Sequence, residues 1–122
     1  MKTILLIDEN EIMRKNNEEI LELSDYSVLT AETGTDGLEL AKAKVPDLII
    51  CDVRTLNEDG DHLWKDLNNL KEKKHIPVLF INNPNEAARL PAGPGSAAIE
   101  YLNKPYQGDE LLETVARCLE HS

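Results

Sequence analysis

Several short apolar runs in this chain each stop abruptly on a polar residue, and this constrains the fold more than any other feature. Leu48-Ile49-Ile50-Cys51 ends on Asp52, Ile4-Leu5-Leu6-Ile7 on Asp8-Glu9, and Val78-Leu79-Phe80-Ile81 on Asn82. A weaker run, Glu100-Tyr101-Leu102-Asn103, leads to Lys104-Pro105. Runs of this length without alternation are the mark of strands covered on both faces. If the strands are parallel, their polar ends gather at one sheet edge.

The segments between them carry helical signals. The first helix is expected to start within Asp8-Glu9-Asn10-Glu11 and to run to about Leu23 with Ile12, Met13, Ile20 and Leu23 inward, although Asn16 and Asn17 interrupt that stripe without an evident function. Tyr26-Ser27-Val28-Leu29-Thr30-Ala31 mixes polar and apolar residues as an edge strand does. Thr33-Gly34-Thr35 supplies a capped turn into a helix through Leu38, Leu40 and Ala41, which Pro46 stops. After Asp52 a polar loop is expected to close on Asp59-Gly60. A helix with Leu63, Leu67 and Leu70 follows and ends in Lys71-Glu72-Lys73-Lys74-His75 before Pro77. Beyond Asn82-Asn83-Pro84 the tract Leu90-Pro91-Ala92-Gly93-Pro94-Gly95-Ser96 is incompatible with a helix interior, so the fourth helix is expected to be short, over residues 85–89. The last helix places Leu111, Val115 and Leu119 on one face, with Leu112 beside them.

This fivefold βα alternation, without a linker, reads as one α/β domain over residues 1–122: a parallel sheet with helices on both faces and right-handed crossovers. Such sheets bind ligands beyond the carboxyl ends of their strands, at the topological switch point. Asp8, Glu9, Asp52, Asn82 and Lys104 all fall there.

Composition narrows the function classes. The chain of 122 residues carries a net charge of −10, which argues against direct nucleic-acid binding, because that needs a clustered basic face. The basic cluster at 71–75 is accounted for by a helix C-terminus. No apolar run approaches the ~20 residues of a membrane span, and no cleavable leader is evident, so a cytoplasmic location without membrane attachment is expected. Cys51 and Cys118 lack metal or redox spacing and read as inert reduced thiols. Trp64 and the histidines show no functional spacing.

Three carboxylates at one edge repel one another unless a cation neutralises them. Mg²⁺ suits such oxygen ligands. A carboxylate is also a nucleophile toward phosphorus, giving an aspartyl-phosphate, whose added charge needs a fixed cation and donors. Lys104 and the Asn82 amide are candidates, so the set fits metal-assisted phosphoryl transfer onto Asp52. Each residue has a plainer reading too. Asp52 could end a strand in a turn, Asp8 and Glu9 could cap a helix, Asn82 could begin a loop, and Tyr101 could simply pack.

These motifs, in order, resemble the receiver domains of two-component response regulators, including the single-domain chemotaxis type. The resemblance rests on Ile4-Leu5-Leu6-Ile7-Asp8-Glu9, Pro46-Asp47-Leu48-Ile49-Ile50-Cys51-Asp52, Asp59-Gly60, Ile76-Pro77-Val78-Leu79 and Tyr101-Leu102-Asn103-Lys104-Pro105-Tyr106, spread over nearly the whole chain. It implies a flavodoxin-like, doubly wound (βα)5 fold with strand order 2-1-3-4-5. Asp52 would be the phosphoacceptor, served by a sensor histidine kinase or phosphotransfer protein. Asp8, Glu9, Asp52 and the Arg54 backbone carbonyl would hold Mg²⁺, and Asn82 and Lys104 would contact the phosphoryl group. Asn82 and Tyr101 take the switch positions, and the Lys104-Pro105 bond is expected to be cis.

The chain also departs from that family's pattern. Glu9 stands where Asp is usual, a longer side chain that can weaken Mg²⁺ binding. Asn82 replaces the usual Thr or Ser, Leu56 a common Pro, and the proline-rich tract 91–96 falls on the fourth helix. These motivate an alternative, a degenerate receiver that binds proteins without phosphorylation. In either case output is expected through a partner protein or an output domain outside this sequence, and no enzymatic activity beyond the domain's own phosphoryl transfer and dephosphorylation. Asp52-Val53-Arg54-Thr55 is also similar to the haloacid-dehalogenase phosphatase motif, but Arg54 cannot serve as its second acid. A flavin-binding flavodoxin would need a Ser/Thr/Gly-rich loop where Asp8-Glu9 stands.

Overall fold

In a computed structural model of the protein, residues 1–58, 65–66, 69–70, 76–83 and 99–120 are described. Five parallel strands, β1 (Thr3–Ile7), β2 (Ser27–Ala31), β3 (Leu48–Asp52), β4 (Val78–Asn82) and β5 (Ile99–Asn103), form one sheet in the order β2-β1-β3-β4-β5. Helices α1 (Glu11–Leu23), α2 (Gly34–Lys44), α3 (Val53–Glu58) and α4 (Gly108–Glu120) accompany them, and residues 65–66 and 69–70 are helical as well. This is the doubly wound, flavodoxin-like order expected, with β2 at an edge. Asp59-Gly60, Leu63, Trp64, Leu67, the basic cluster 71–75, the short helix 85–89 and the tract 91–96 lie outside the described residues, as does the side chain of Leu56.

The central strands β1, β3 and β4 are buried on both faces, so their alternate residues feed two cores. Leu5, Ile7, Ile49, Cys51, Val78 and Phe80 pack with Leu38 and Ala41 of α2 on one side. Ile4, Leu6, Leu48, Ile50, Leu79 and Ile81 pack with Leu21 of α1 and Leu111, Val115 and Cys118 of α4 on the other. Pairing of Ile4 with Leu48 and of Asp52 with Ile81 keeps the strands level, so they end together at one edge.

Two local expectations need correction. Ile12 and Leu23 are 80% and 79% exposed, whereas Arg14, Asn17 and Leu21 face inward. At about 100° per residue, Leu21, Asn17 and Arg14 share one face and Ile12 and Leu23 lie roughly opposite. Polar partners available to Arg14 and Asn17 outweigh the apolar pull of the other phase. The loop expected after Asp52 is also helical from Val53, because the Asp52 carboxylate accepts the Arg54 N–H at 2.8 Å in the manner of an N-cap. Other capping and stop signals among the described residues hold. Asn10 caps α1 by accepting from Met13 N, Thr33 caps α2 by accepting from Asp36 N, and α2 ends at Lys44 with Val45 as its C-cap, ahead of Pro46. Neither cysteine is in a disulfide, and both are buried.

Candidate phosphoacceptor site

The carboxyl ends of β1, β3, β4 and β5 open onto one cavity of about 260 Å³, lined by Asp8, Glu9, Asn10, Asp52, Val53, Arg54, Asn82, Asn83 and Lys104. β1 and β3 are neighbours from which the chain winds in opposite directions, so the cavity sits at the switch point of the sheet. All five residues picked out at the strand ends line it.

Asp52 is its centre and is 6% exposed. Its Oδ1 accepts the Arg54 N–H, and its Oδ2 accepts from Lys104 Nζ at 2.9 Å. An ionised carboxylate has about four lone-pair sites, so each oxygen keeps accepting capacity. Burial works against the Lys104 ammonium, but the hydrogen bond and charge of Asp52, helped by Asp8, more than offset it, and the lysine holds its proton more tightly than usual. Lys104 is fixed at its backbone as well, its N–H donating to the Asn82 carbonyl at 2.7 Å. The Lys104-Pro105 bond is cis, as expected.

Asp8 is 4% exposed. Burial raises its carboxyl above the ordinary aspartate range, and the Asp52 charge adds to this, while the Asn10 N–H, Lys104 and Arg14 act in the opposite direction. Its Oδ1 accepts the Asn10 N–H at 2.9 Å, and its carbonyl accepts from Arg14 Nη1 at 2.8 Å. The Glu9 N–H donates to the buried Thr55 hydroxyl at 3.2 Å, joining the loop after β1 to α3.

The Glu9 side chain lines the cavity beside Arg54. Its Oε1 lies 3.5 Å from Arg54 Nε, in a pair whose members are 37% and 62% exposed, a geometry that contributes little to stability. Among the described residues no three His, Cys, Asp or Glu side chains gather closely enough to hold a metal by themselves. Asp8 and Asp52 nevertheless fit a divalent cation by chemistry: two mutually repelling buried carboxylates beside an open polar cavity suit Mg²⁺, which keeps several waters and needs few protein ligands.

Asn82 lines the cavity, but its Nδ2 donates across the β4–β5 pair to Asn103 Oδ1 at 3.1 Å. Tyr101 is 38% exposed, and its ring stacks on Phe80 with centroids 5.8 Å apart. Three contributors escaped the sequence reading: Arg14, Thr55 and the Asn17–Tyr106 pair, joined at 2.8 Å between Asn17 Nδ2 and the tyrosine hydroxyl. Asn17 was visible only as a break in the apolar stripe. Thr55 and Tyr106 stood inside sequence motifs without a role of their own, and nothing in the local sequence singles out Arg14.

The sequence model of the response regulator receiver domain matches residues 4–116. The polar-differentiation response regulator DivK of Brucella ovis is 27% identical over 117 residues, covering 93% of each chain. Protein PilH of Pseudomonas aeruginosa is 29% identical over 115 residues, covering 94% of this chain and 95% of its own. Among solved structures, the chemotaxis response regulator CheY4 of Vibrio cholerae shares the fold with a TM-score of 0.80 at 24% identity, covering 98% of this chain and 99% of its own. The receiver domain of the hybrid histidine kinase CckA superposes with a TM-score of 0.75 at 27% identity, covering 96% and 98%. The family match runs almost from one end of the sheet to the other and the relatives align over nearly their full lengths, so the chain belongs to the family of response regulator receiver domains.

Proposed function

We propose that this receiver accepts a phosphoryl group on Asp52 from the phosphohistidine of a sensor histidine kinase or phosphotransfer protein, and signals by contact with an output protein or domain. The observation that carries this reading is the 2.9 Å contact of Lys104 Nζ with Asp52 Oδ2 at the strand edge. In the transfer, an Asp52 oxygen forms a bond to phosphorus as the P–N bond of the donor breaks, and the imidazole leaves with that electron pair. Lys104 already stands where negative charge accumulates, and needs no reorganisation to meet it. The Asn82 amide can donate to a phosphoryl oxygen after leaving Asn103. Mg²⁺, held by Asp8, Asp52, Glu9 and the Arg54 carbonyl, would supply further neutralisation of the transferring group. The domain then performs only its own phosphorylation and dephosphorylation, in the cytoplasm. Among the described residues no helix is long and apolar enough to cross a membrane.

A second reading has its own support. Glu9 is drawn to Arg54 and the Asn82 amide to Asn103, which supports a receiver that binds partners without phosphorylation. Incubation with acetyl phosphate and Mg²⁺, followed by intact-mass analysis, separates the two. The phosphoacceptor reading expects one phosphoryl increment that depends on Mg²⁺ and is lost in Asp52→Asn. No increment across a range of Mg²⁺ concentrations favours the second.

A further inference from the structure

We propose that Asn17 and Tyr106 form a positioning clasp through which helix α1 holds the Lys104 ammonium on Asp52. Residues 104–107 belong to neither β5 nor α4, so Lys104 sits on a connection whose course must be set by tertiary contacts. At its start, the Lys104 N–H is bonded to the Asn82 carbonyl. Two residues on, Tyr106 packs against the core that contains Leu21 of α1 and Leu111 and Val115 of α4, and its hydroxyl meets the Asn17 amide. That hydroxyl accepts from Asn17 Nδ2 at 2.8 Å and donates to Asn17 Oδ1 at 3.1 Å. Asn17 is 2% exposed, on the inward face of a helix 89 residues away in sequence.

A hydroxyl within reach of both the nitrogen and the oxygen of one buried amide is confined to a narrow range of positions. The connection is thereby pinned on both sides of Pro105, and the Lys104 side chain starts from a fixed backbone. One turn earlier on the same face, Arg14 donates to the Asp8 carbonyl. Helix α1 therefore braces the site from two directions, at the end of β1 and at the connection after β5. Loss of the clasp leaves Lys104 its charge but not its place, and displacements of about 1 Å at a reacting centre can change rates by up to about a hundredfold.

The clasp itself concerns ammonium placement; its effect on transfer rests on the phosphoacceptor reading. Side-chain ammonium NMR of the full chain with ¹⁵N-lysine tests the first, with the Lys104 signal assigned by its loss in Lys104→Met. The wild type is expected to show a slowly exchanging Lys104 ammonium, and Tyr106→Phe and Asn17→Ala to lose it with little change elsewhere in the amide spectrum. Thr33→Ala, which removes the cap of α2, controls for lost stability and should retain the signal. A Lys104 signal that persists in Tyr106→Phe, is absent from wild type, or disappears equally in Thr33→Ala overturns the clasp. Phosphorylation by acetyl phosphate with Mg²⁺ tests the second: Tyr106→Phe should slow it on the order of tenfold, and should have no further effect in a Lys104→Ala background. If wild type takes up no phosphoryl group while the ammonium signal behaves as expected, the phosphoacceptor reading fails and the clasp stands.

Discussion

Gly37 and Gly108 invite the same substitution with opposite results. A Cβ added at Gly37 would lie 2.3 Å from Ile7 Cδ1 and 2.6 Å from Ile7 Cγ1. Cδ1 can swing aside, but Cγ1 is bonded to the β-branched Cβ, where rotation is most restricted. Ile7 is 0% exposed, with Ala31, Leu38, Ala41 and Cys51 in the same core, so it has little room to retreat. Replacing a mid-helix glycine by alanine would otherwise gain about 1 kcal/mol. Overpacking costs about 1–3 kcal/mol, and contacts this short belong at the upper end. Gly37→Ala should therefore destabilise by about 1–2 kcal/mol, lowering Tm by roughly 3–10 °C for a domain of this size. At Gly108 the nearest atom to an added Cβ is Ile20 Cδ1 at 3.6 Å, an ordinary contact. Gly108→Ala should stabilise by about 0.4–1 kcal/mol, chiefly by restricting the unfolded chain. Urea unfolding followed by far-UV circular dichroism, with the slope checked for constancy, measures both. Because Ile7 immediately precedes Asp8, Gly37→Ala should also shift the amide resonances of Asp8 and Asn10. A Gly37→Ala variant as stable as wild type, or both variants moving in one direction, would refute the close packing of α2 on β1 beneath the site.

Asp8→Asn should stabilise the metal-free protein by about 1 kcal/mol, as relief of a strained functional site often does, while weakening Mg²⁺ binding. A carboxyl whose folded pKa is raised makes the fold lose stability as pH rises above the unfolded value, since the native state then holds the extra proton. The stability gap between variant and wild type should therefore open as pH rises above the ordinary aspartate value of about 4 and close in acid; a gap independent of pH would contradict the burial of that charge. Burial also pushes the Cys118 thiol up to about 11. At pH 8 such a thiol is roughly 0.1% thiolate, against about a quarter for an ordinary cysteine, so iodoacetamide should modify it on the order of a hundredfold more slowly than in the unfolded chain. Peptide mapping that finds equal rates would show the C-terminal helix to be undocked.

The strands and their shared edge were legible because continuous apolar runs admit few alternatives, and the polar residue that ends each of these runs survives any small error in element boundaries. The phase of α1 was not. Ile12 and Leu23 suggested one face, but Arg14 and Asn17 bury the other through partners at Asp8 and Tyr106. The helical start at Val53 was hidden for a similar reason, since Asp52 reads both as a strand-end nucleophile and as a cap. Glu9 and Asn82 were recognisable as departures, yet nothing local could place one on Arg54 and the other on Asn103.

Periodicity and residue type thus determined the alternation of strands and helices, the parallel sheet and the identity of the polar groups at its edge. Tertiary structure decided which of those groups touch: Lys104 on Asp52, Arg54 on Glu9, Thr55 on the Glu9 backbone and Asn17 on Tyr106. Hydrophobic patterning is local and repeats along the chain. The partner of a polar side chain is set by distant segments brought together, and by the demand that buried donors and acceptors be satisfied.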